Sequence, residues 1–251
     1  MKNTTPYETV LVTGASRGIG AAICRKLAGM GLTVHAVARS LDSLKDLQSE
    51  TGAIIHAGDV TDTAAMEALF QEIEIDVLVN NAGAVAALGP LESLSAQDID
   101  HMVAINLLAP LHMCRLALKG MVARQRGHII NIGSTTGTFV FPGTVPYAAA
   151  KAGMTAANRV MRYDLSGSNV RVTEISPGRV HTDIYRSAVQ DDAARAAMYE
   201  TVRSLAPEDI AQAVAAALSM PEGVDVSFME ISPTDQAPGG YRYQSPANIA
   251  K

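Results

Sequence analysis

Seven short apolar runs, rich in β-branched residues, alternate with helical stretches along nearly the whole chain, and this alternation constrains the fold more than any other feature. The runs are TVLVT around Val10, TVHAVA from Thr33, AIIHA from Ala53, DVLVN from Asp76, HIINIG from His128, VRVTEIS from Val170 and VDVSFMEI from Val224. Helical patterns lie between them, as from Gly20 to Met30 and from Asp98 to Arg124. Their length and β-branched content suit strands buried on both faces. Such strands, separated by helices, build a parallel sheet covered by helices. Right-handed crossovers then give a doubly wound, seven-stranded α/β sheet. No linker or fixed-period repeat divides the 251 residues, so one domain spanning 1–251 is expected.

Charge and cysteine usage exclude several function classes. A net charge of −5 does not provide the basic field of a general nucleic-acid surface. Cys24 and Cys114 form no CxxC pair and read as buried thiols of a reducing, cytoplasmic setting. The N-terminal MKNTTPYETV has no signal-peptide core. The uncharged stretch from Ile129 to Ala150 carries three glycines and two prolines, so no membrane span is expected there. The six histidines show no metal-ligand spacing, and no metal is expected.

In a doubly wound sheet, ligands bind beyond the carboxyl ends of the strands. The segment TGASRGIG follows the first run and opens a helix. Gly14, Gly18 and Gly20 permit a tight turn and let a diphosphate approach free N–H groups at the positive end of the helix dipole.

A second unit is VPYAAAKAG. Tyr147 and Lys151 stand four residues apart, so on a helix they share one face. Pro146 suits the first turn of that helix, and Val145 before it is expected to be extended. A free tyrosine has a pKa of about 10, and lowering it by about 3 units requires roughly 4 kcal/mol in favour of the phenolate. A nearby ammonium in a partly dry site can supply much of that.

These motifs resemble the short-chain dehydrogenase/reductase family. TGxxxGIG occurs at 13–20, NNAG at 80–83, an asparagine of the central helix at Asn106, the serine after the fifth strand at Ser134, YxxxK at 147–151, and the PG–T pattern at Pro177, Gly178 and Thr182. The matches fall in the family's order and cover nearly the whole chain. The resemblance implies a single-domain Rossmann fold and an oxidoreductase acting on an alcohol/carbonyl pair. It implies that Tyr147 exchanges a proton with the substrate oxygen and that Ser134 polarises that oxygen. Lys151 would lower the tyrosine pKa and hold the nicotinamide ribose, and Asn106 would help hold a proton-relaying water chain. It assigns the cofactor to Gly14, Ser16, Arg17, Gly18, Ile19 and Gly20, to Asp59 and Val60 after the third strand, and to Asn81, Ala82 and Gly83 after the fourth. Tyr147, Lys151, Pro177, Gly178 and Thr182 complete that set. Asp59 could instead cap the next helix, and Asn80 is expected to support the sheet.

The second strand ends VHAVARS, with Ala38 where NAD-binding members of the family carry Asp, followed by Arg39. A carboxylate there would repel a 2′-phosphate by up to about 4 kcal/mol at 4 Å and an effective dielectric near 20. A guanidinium attracts it and can bond bidentately. With Arg17 in the glycine loop, this predicts NADP(H). Asp42 is read as the cap of the following helix.

The family's substrate loop corresponds to about 184–205, and a tail follows at about 232–251. Both this tail and MEISPTDQ resemble the branch acting on serine and other small 3-hydroxy acids. The expected substrate is a small polar 3-hydroxy acid, its oxo compound or an anionic aldehyde, read by Arg186 or Arg242. Alternatives are an uncharged ketone, a sugar or a hydrophobic carbonyl. A different class, a protein sensing NADP(H) without catalysis, would show a damaged Asn106–Ser134–Tyr147–Lys151 set, and all four are present. The resemblance implies a homotetramer built on the helices from Asp98 to Arg124 and from Pro146 to Ser166, the second presenting Ala148, Ala152 and Thr155.

Overall fold

The computed structural model describes residues 5–194, 196 and 203–236. The strands are β1 (Thr9–Thr13), β2 (Thr33–Ala38), β3 (Ile54–Ala57), β4 (Val77–Asn80), β5 (Gly127–Ile132), β6 (Val170–Pro177) and β7 (Phe228–Ile231). The helices are α1 (Gly18–Gly29), α2 (Leu41–Thr51), α3 (Thr63–Glu72), α4 (Ala96–Val103), α5 (Ala109–Ala123), α6 (Val145–Asp164) and α7 (Pro207–Leu218). The seven strands form one sheet in the order β3-β2-β1-β4-β5-β6-β7, with every pairing parallel. This is the doubly wound Rossmann arrangement. The chain leaves β1 towards one edge and returns to β4 beside it, so the strand order reverses between β1 and β4, where such sheets bind ligands.

The apolar runs bury both faces of the interior strands. Val10 and Val12 of β1, Val77 and Val79 of β4, and Ile130 of β5 pack into the layer shared with α1 and α7. Leu11, Leu78 and Ile129 of the same strands point the other way, into the layer with α3 and α5. Fully burying each such side chain contributes about 1.5–3 kcal/mol. β3 and β7, at the edges, are only partly buried.

Local chemistry sets the helix ends. Ser40 caps α2 by accepting from the Ser43 N–H, so the expected cap, Asp42, instead lies in the first turn and pairs with Lys45 at 3.3 Å. The shorter serine, one step before the helix, reaches the orphan N–H. Asp62 caps α3 through the Ala65 N–H, while Asp59 accepts both the N–H and the hydroxyl of Thr61, at 2.9 and 2.7 Å. Asp59 is therefore not the cap. Val145 is already the first residue of α6 rather than extended, with Pro146 tolerated in the first turn.

The segment expected as one helix from Asp98 to Arg124 begins at α4, passes through a π-helical turn at Ala104–Leu108 and continues as α5. By length and composition, Ala96–Ala123 is apolar enough to cross a membrane, but half of its most apolar window is buried here, with α5 packed against β4 and β5. On α6, Ala152 is exposed, Ala148 is half-buried and Thr155 is buried. Thr155 thus faces the sheet and is no part of an outward small-residue surface.

Candidate active site

The turn after β1 is built for close backbone approach. Gly14 and Gly18 hold positive φ angles of 65° and 54°, which a side chain would strain. Arg17, at the N-cap of α1, makes no side-chain capping bond, so no capping side chain covers the N–H groups of the first turn. The loop is fastened to the segment after β4. The Thr13 hydroxyl accepts the N–H groups of Asn81 and Ala82, both at 3.0 Å. The Asn81 amide donates to the carbonyls of Thr13 and Gly14, at 2.9 and 3.2 Å.

A cleft of about 470 Å³ opens beyond the carboxyl ends of the strands. Gly14, Ser16, Arg17, Gly18 and Ile19 line one wall, and Asn81, Ala82 and Gly83 line the wall beside it. Arg39, Asp59 and Val60 border the end near β2 and β3, and Pro177, Gly178 and Thr182 close the cleft from the β6 side. Gly20 does not line it: a Cβ there would fall 2.2 Å from the Gly14 carbonyl oxygen, so this glycine lets α1 pack onto the turn. The expectation that Gly20 contacts the ligand is corrected accordingly.

Ser134, Tyr147 and Lys151 reach the same cleft. Ser134 ends the segment after β5 and accepts from the Thr136 N–H at 3.1 Å. Tyr147 is 8% exposed and Lys151 7%. The Lys151 ammonium donates to the Ile132 carbonyl at 2.9 Å and lies 5.8 Å from the centre of the Tyr147 ring. Burial pulls the lysine down to about 8, opposed by the Glu174 carboxylate. Burial, followed by the neighbouring Tyr185, raises the Tyr147 phenol, and a hydrogen bond with Ser134 pulls it back. The net shift of the tyrosine is therefore upward and not the expected lowering: desolvation of the phenolate outweighs the other effects. In this state the phenol keeps its proton near neutral pH.

Asn106 lies in the π-helical turn, 1% exposed. Its amide donates to the carbonyls of Ala84 and Met102 at 2.8 and 2.9 Å, and its oxygen accepts the Ala84 N–H at 3.3 Å. It ties the segment after β4 to the helix and does not line the cleft wall. Arg186 is exposed and also lies outside the lining, whereas Arg242 falls outside the described residues. The loop over 184–205 is described only to 194, at 196 and from 203, and the tail only to 236.

Sequence reasoning did not assign Arg179, Tyr185, Ser40 or Ser43 to the site, yet all four line the cleft. For Arg179 a signal existed, since it directly follows the Pro177–Gly178 pair. Ser40 and Ser43 follow Arg39 closely enough to have been considered with it.

The donor set fits a dinucleotide carrying a 2′-phosphate. The glycine turn leaves backbone room for a diphosphate. At the β2 end the cleft carries Ala38, Arg39, Ser40 and Ser43 with no carboxylate at position 38. Arg17 lies nearby, paired with Asp183 at 3.6 Å across the cleft mouth. Among the described residues, no group of three or more His, Cys, Asp or Glu side chains could hold a metal ion.

Residues 8–193 match the short chain dehydrogenase family. An uncharacterised short-chain type dehydrogenase/reductase of Sinorhizobium fredii is 41% identical over 93% of this chain and 94% of its own length. An NADP-dependent 3-hydroxy acid dehydrogenase of Salmonella typhi is 38% identical over 92% of this chain and 97% of its own. Among solved structures, a closed form of serine dehydrogenase complexed with NADP+ superimposes with a TM-score of 0.88 at 35% identity, covering 94% of this chain and 99% of that one.

Proposed function

Since the chain belongs to the short-chain dehydrogenase/reductase family, we propose that it is an NADP(H)-dependent enzyme interconverting a small polar alcohol of the 3-hydroxy acid type and its carbonyl, with Tyr147 as the acid/base. The observation that carries this reading is the meeting of Ser134, Tyr147 and Lys151 with the glycine turn in one cleft. NADP-dependent and NADP-bound relatives support the cofactor, as does the Arg17–Arg39 end of the site.

The glycine turn and the first N–H groups of α1 would hold the diphosphate, and Arg17, Arg39, Ser40 and Ser43 the 2′-phosphate. Asp59 and Val60 would border the adenine. Asn81, Ala82, Gly83, Pro177, Gly178 and Thr182 would line the remainder of the trough. When bound, the nicotinamide supplies or takes the hydride, the chemistry a protein side chain lacks. Ser134 orients and polarises the substrate oxygen. In reduction Tyr147 donates its phenolic proton to that oxygen, and the buried Lys151 stabilises the phenolate left behind. Asn106 lies in a π turn, a distortion frequent at functional sites, and on the family reading would help hold a water chain that relays protons to Lys151.

Arg186 is exposed outside the lining, so Arg179, which borders the cleft, is the better-placed anion reader. The second reading, a neutral or hydrophobic carbonyl, draws on the apolar surroundings of Tyr147: Val85, Met102, Leu88, Leu94 and Ile184. Matched carboxylate-bearing and neutral carbonyls with NADPH separate the two. A preference for the charged member that disappears in Arg179→Ala supports the first reading, and equal efficiencies in the wild type refute it. We further propose a homotetramer built on α5 and α6, whose outer surfaces expose Val122, Val160 and Tyr163; a monomer in light scattering would refute it. The substrate loop at about 184–205 is assigned on the same reading, and the free, buried Cys24 and Cys114 accord with a cytoplasmic setting.

A further inference from the structure

Beneath the cleft floor, three polar side chains stand in one row across the sheet. Asn80 of β4 is in register with Asn131 of β5, and Asn131 with Glu174 of β6. All three are buried, Glu174 at 2% exposure. Their bonds form a chain. The Asn80 amide donates to the Asn131 oxygen at 2.8 Å, the Asn131 amide to the Asn158 oxygen at 2.5 Å, and the Asn158 amide to Glu174 Oε2 at 3.1 Å. Glu174 Oε1 accepts from the Thr155 hydroxyl at 2.8 Å. That same hydroxyl lies 3.2 Å from the carbonyl oxygen of Lys151, one helical turn earlier. On its other side the carboxylate presses against Gly133, where a Cβ would lie 2.6 Å from Oε1. Gly133 joins Ile132, whose carbonyl receives the Lys151 ammonium, to Ser134.

A buried carboxylate is costly unless charge or hydrogen bonds compensate it. No direct ion pair compensates this one among the described residues: its hydrogen-bond partners are a hydroxyl and an amide. The other charged or titratable groups nearby do not supply a cation. Cys114 of α5, in the same network, is held neutral by burial, its thiol pushed up to about 12. Tyr147 of α6 is a neutral phenol, held so by burial. Strand alternation turns His128 and Arg171 to the opposite face of the sheet, and Glu230 of β7 is exposed. Among the described residues, Lys151 is the one buried cation on this side, and Glu174 is the charge that opposes its loss of a proton.

We propose that Glu174 is a positioning residue of the active site, its carboxylate anchoring α6 at Thr155 and Asn158, in the turns that follow Lys151, and stabilising the lysine as a cation. The inference rests on the reading of Lys151 as the partner of Tyr147. It places one charged end of a four-element polar chain directly behind the residues that handle the proton.

The test follows Lys151 itself. The full chain, with its six lysines, is labelled at lysine Cε and titrated by NMR, and Lys151→Arg assigns the signal. Glu174→Gln removes a negative charge, disfavours the ammonium and lowers the Lys151 midpoint by about one pH unit. Glu174→Asp keeps the charge and restores most of the shift. An unmoved midpoint in Glu174→Gln, or an equal shift in both variants, overturns the proposal. If Glu174→Gln does not fold, the double variant Glu174→Met/Thr155→Val, which removes the charge together with the hydroxyl it would leave unpaired, is read the same way: a lowered midpoint supports the proposal and an unmoved one overturns it. Carbonyl reduction measured in parallel should lose its alkaline limb at correspondingly lower pH. A moved lysine midpoint with an unmoved kinetic limb faults the acid–base reading of the site and leaves Glu174's hold on Lys151 standing.

Discussion

Substituting Gly20 by alanine sets two physical effects of opposite sign against each other. In a helix interior, replacing glycine by alanine stabilises by up to about 1 kcal/mol. The structure puts a counterforce at this position. The new Cβ would lie 2.2 Å from the Gly14 oxygen and 2.6 Å from the Asn81 amide nitrogen. The first of these is backbone in a tight turn, so the turn itself must move by roughly 1 Å to reach van der Waals contact. Overpacking of this kind costs about 1–3 kcal/mol. The Asn81 bonds to Thr13 and Gly14, at 2.9 and 3.2 Å, lie in the path of that movement, and each contributes about 0.5–1.5 kcal/mol. The contact therefore wins, and the net loss is about 1–4 kcal/mol. Gly29 is the matched control: it ends the same helix, and a Cβ there meets nothing within 4 Å. Urea melts with and without NADPH measure both variants. Gly29→Ala should match or exceed the wild type. Gly20→Ala should lose stability, and its NADPH affinity should fall on the order of tenfold because the phosphate turn is displaced, one decade corresponding to about 1.4 kcal/mol. A Gly20→Ala protein as stable as Gly29→Ala, with unchanged NADPH affinity, would refute this account of the turn.

Tyr147→Phe should keep NADPH affinity and lose turnover by about 10²–10⁴-fold, the scale of one positioned acid/base group; steady-state kinetics beside a binding titration checks this. Ala38→Asp should weaken NADPH far more than NADH, by up to about 4 kcal/mol if the carboxylate comes within 4 Å of the phosphate, and the ratio of the two catalytic efficiencies measures it. Burial lowers the pKa of both His35 and His56, whose rings stack with a 2.9 Å contact between Nδ1 and Nε2. The unfolded chain then binds protons more readily than the folded one, so this contribution is present above about pH 6.5 and is lost as pH falls through the lowered values. The urea midpoint should drop on acidification and drop less steeply in His56→Gln; identical slopes would remove the pair from the acid response.

The parts of this protein legible in the sequence are those set by neighbours along the chain. Apolar runs such as VLV and IINI specify strands buried on both faces, and the spacing from Tyr147 to Lys151 is a property of any helix. The glycine turn follows from φ angles that disfavour a side chain. Ala38 and Arg39 mark the cofactor end because a strand's last residues face the cleft wherever the sheet is parallel. What only the tertiary structure decided depends on residues brought together from distant segments. Gly20 turned out to be a packing glycine because the Gly14 carbonyl folds back over it. Thr155, which reads as an outward small residue, turns inward because Glu174 waits for it on β6. Arg186 and Arg179 are equivalent as loop arginines in sequence, and only the path of the chain after β6 puts Arg179 on the cleft and leaves Arg186 in solvent. The tyrosine's proton affinity, expected to fall beside a lysine, rises instead, because burial of the phenol is a sum over every surrounding atom and no spacing between two residues contains it. The row from Asn80 through Asn131 to Glu174 is invisible along the chain, since parallel strands acquire their register only when the intervening helices have packed and drawn them side by side.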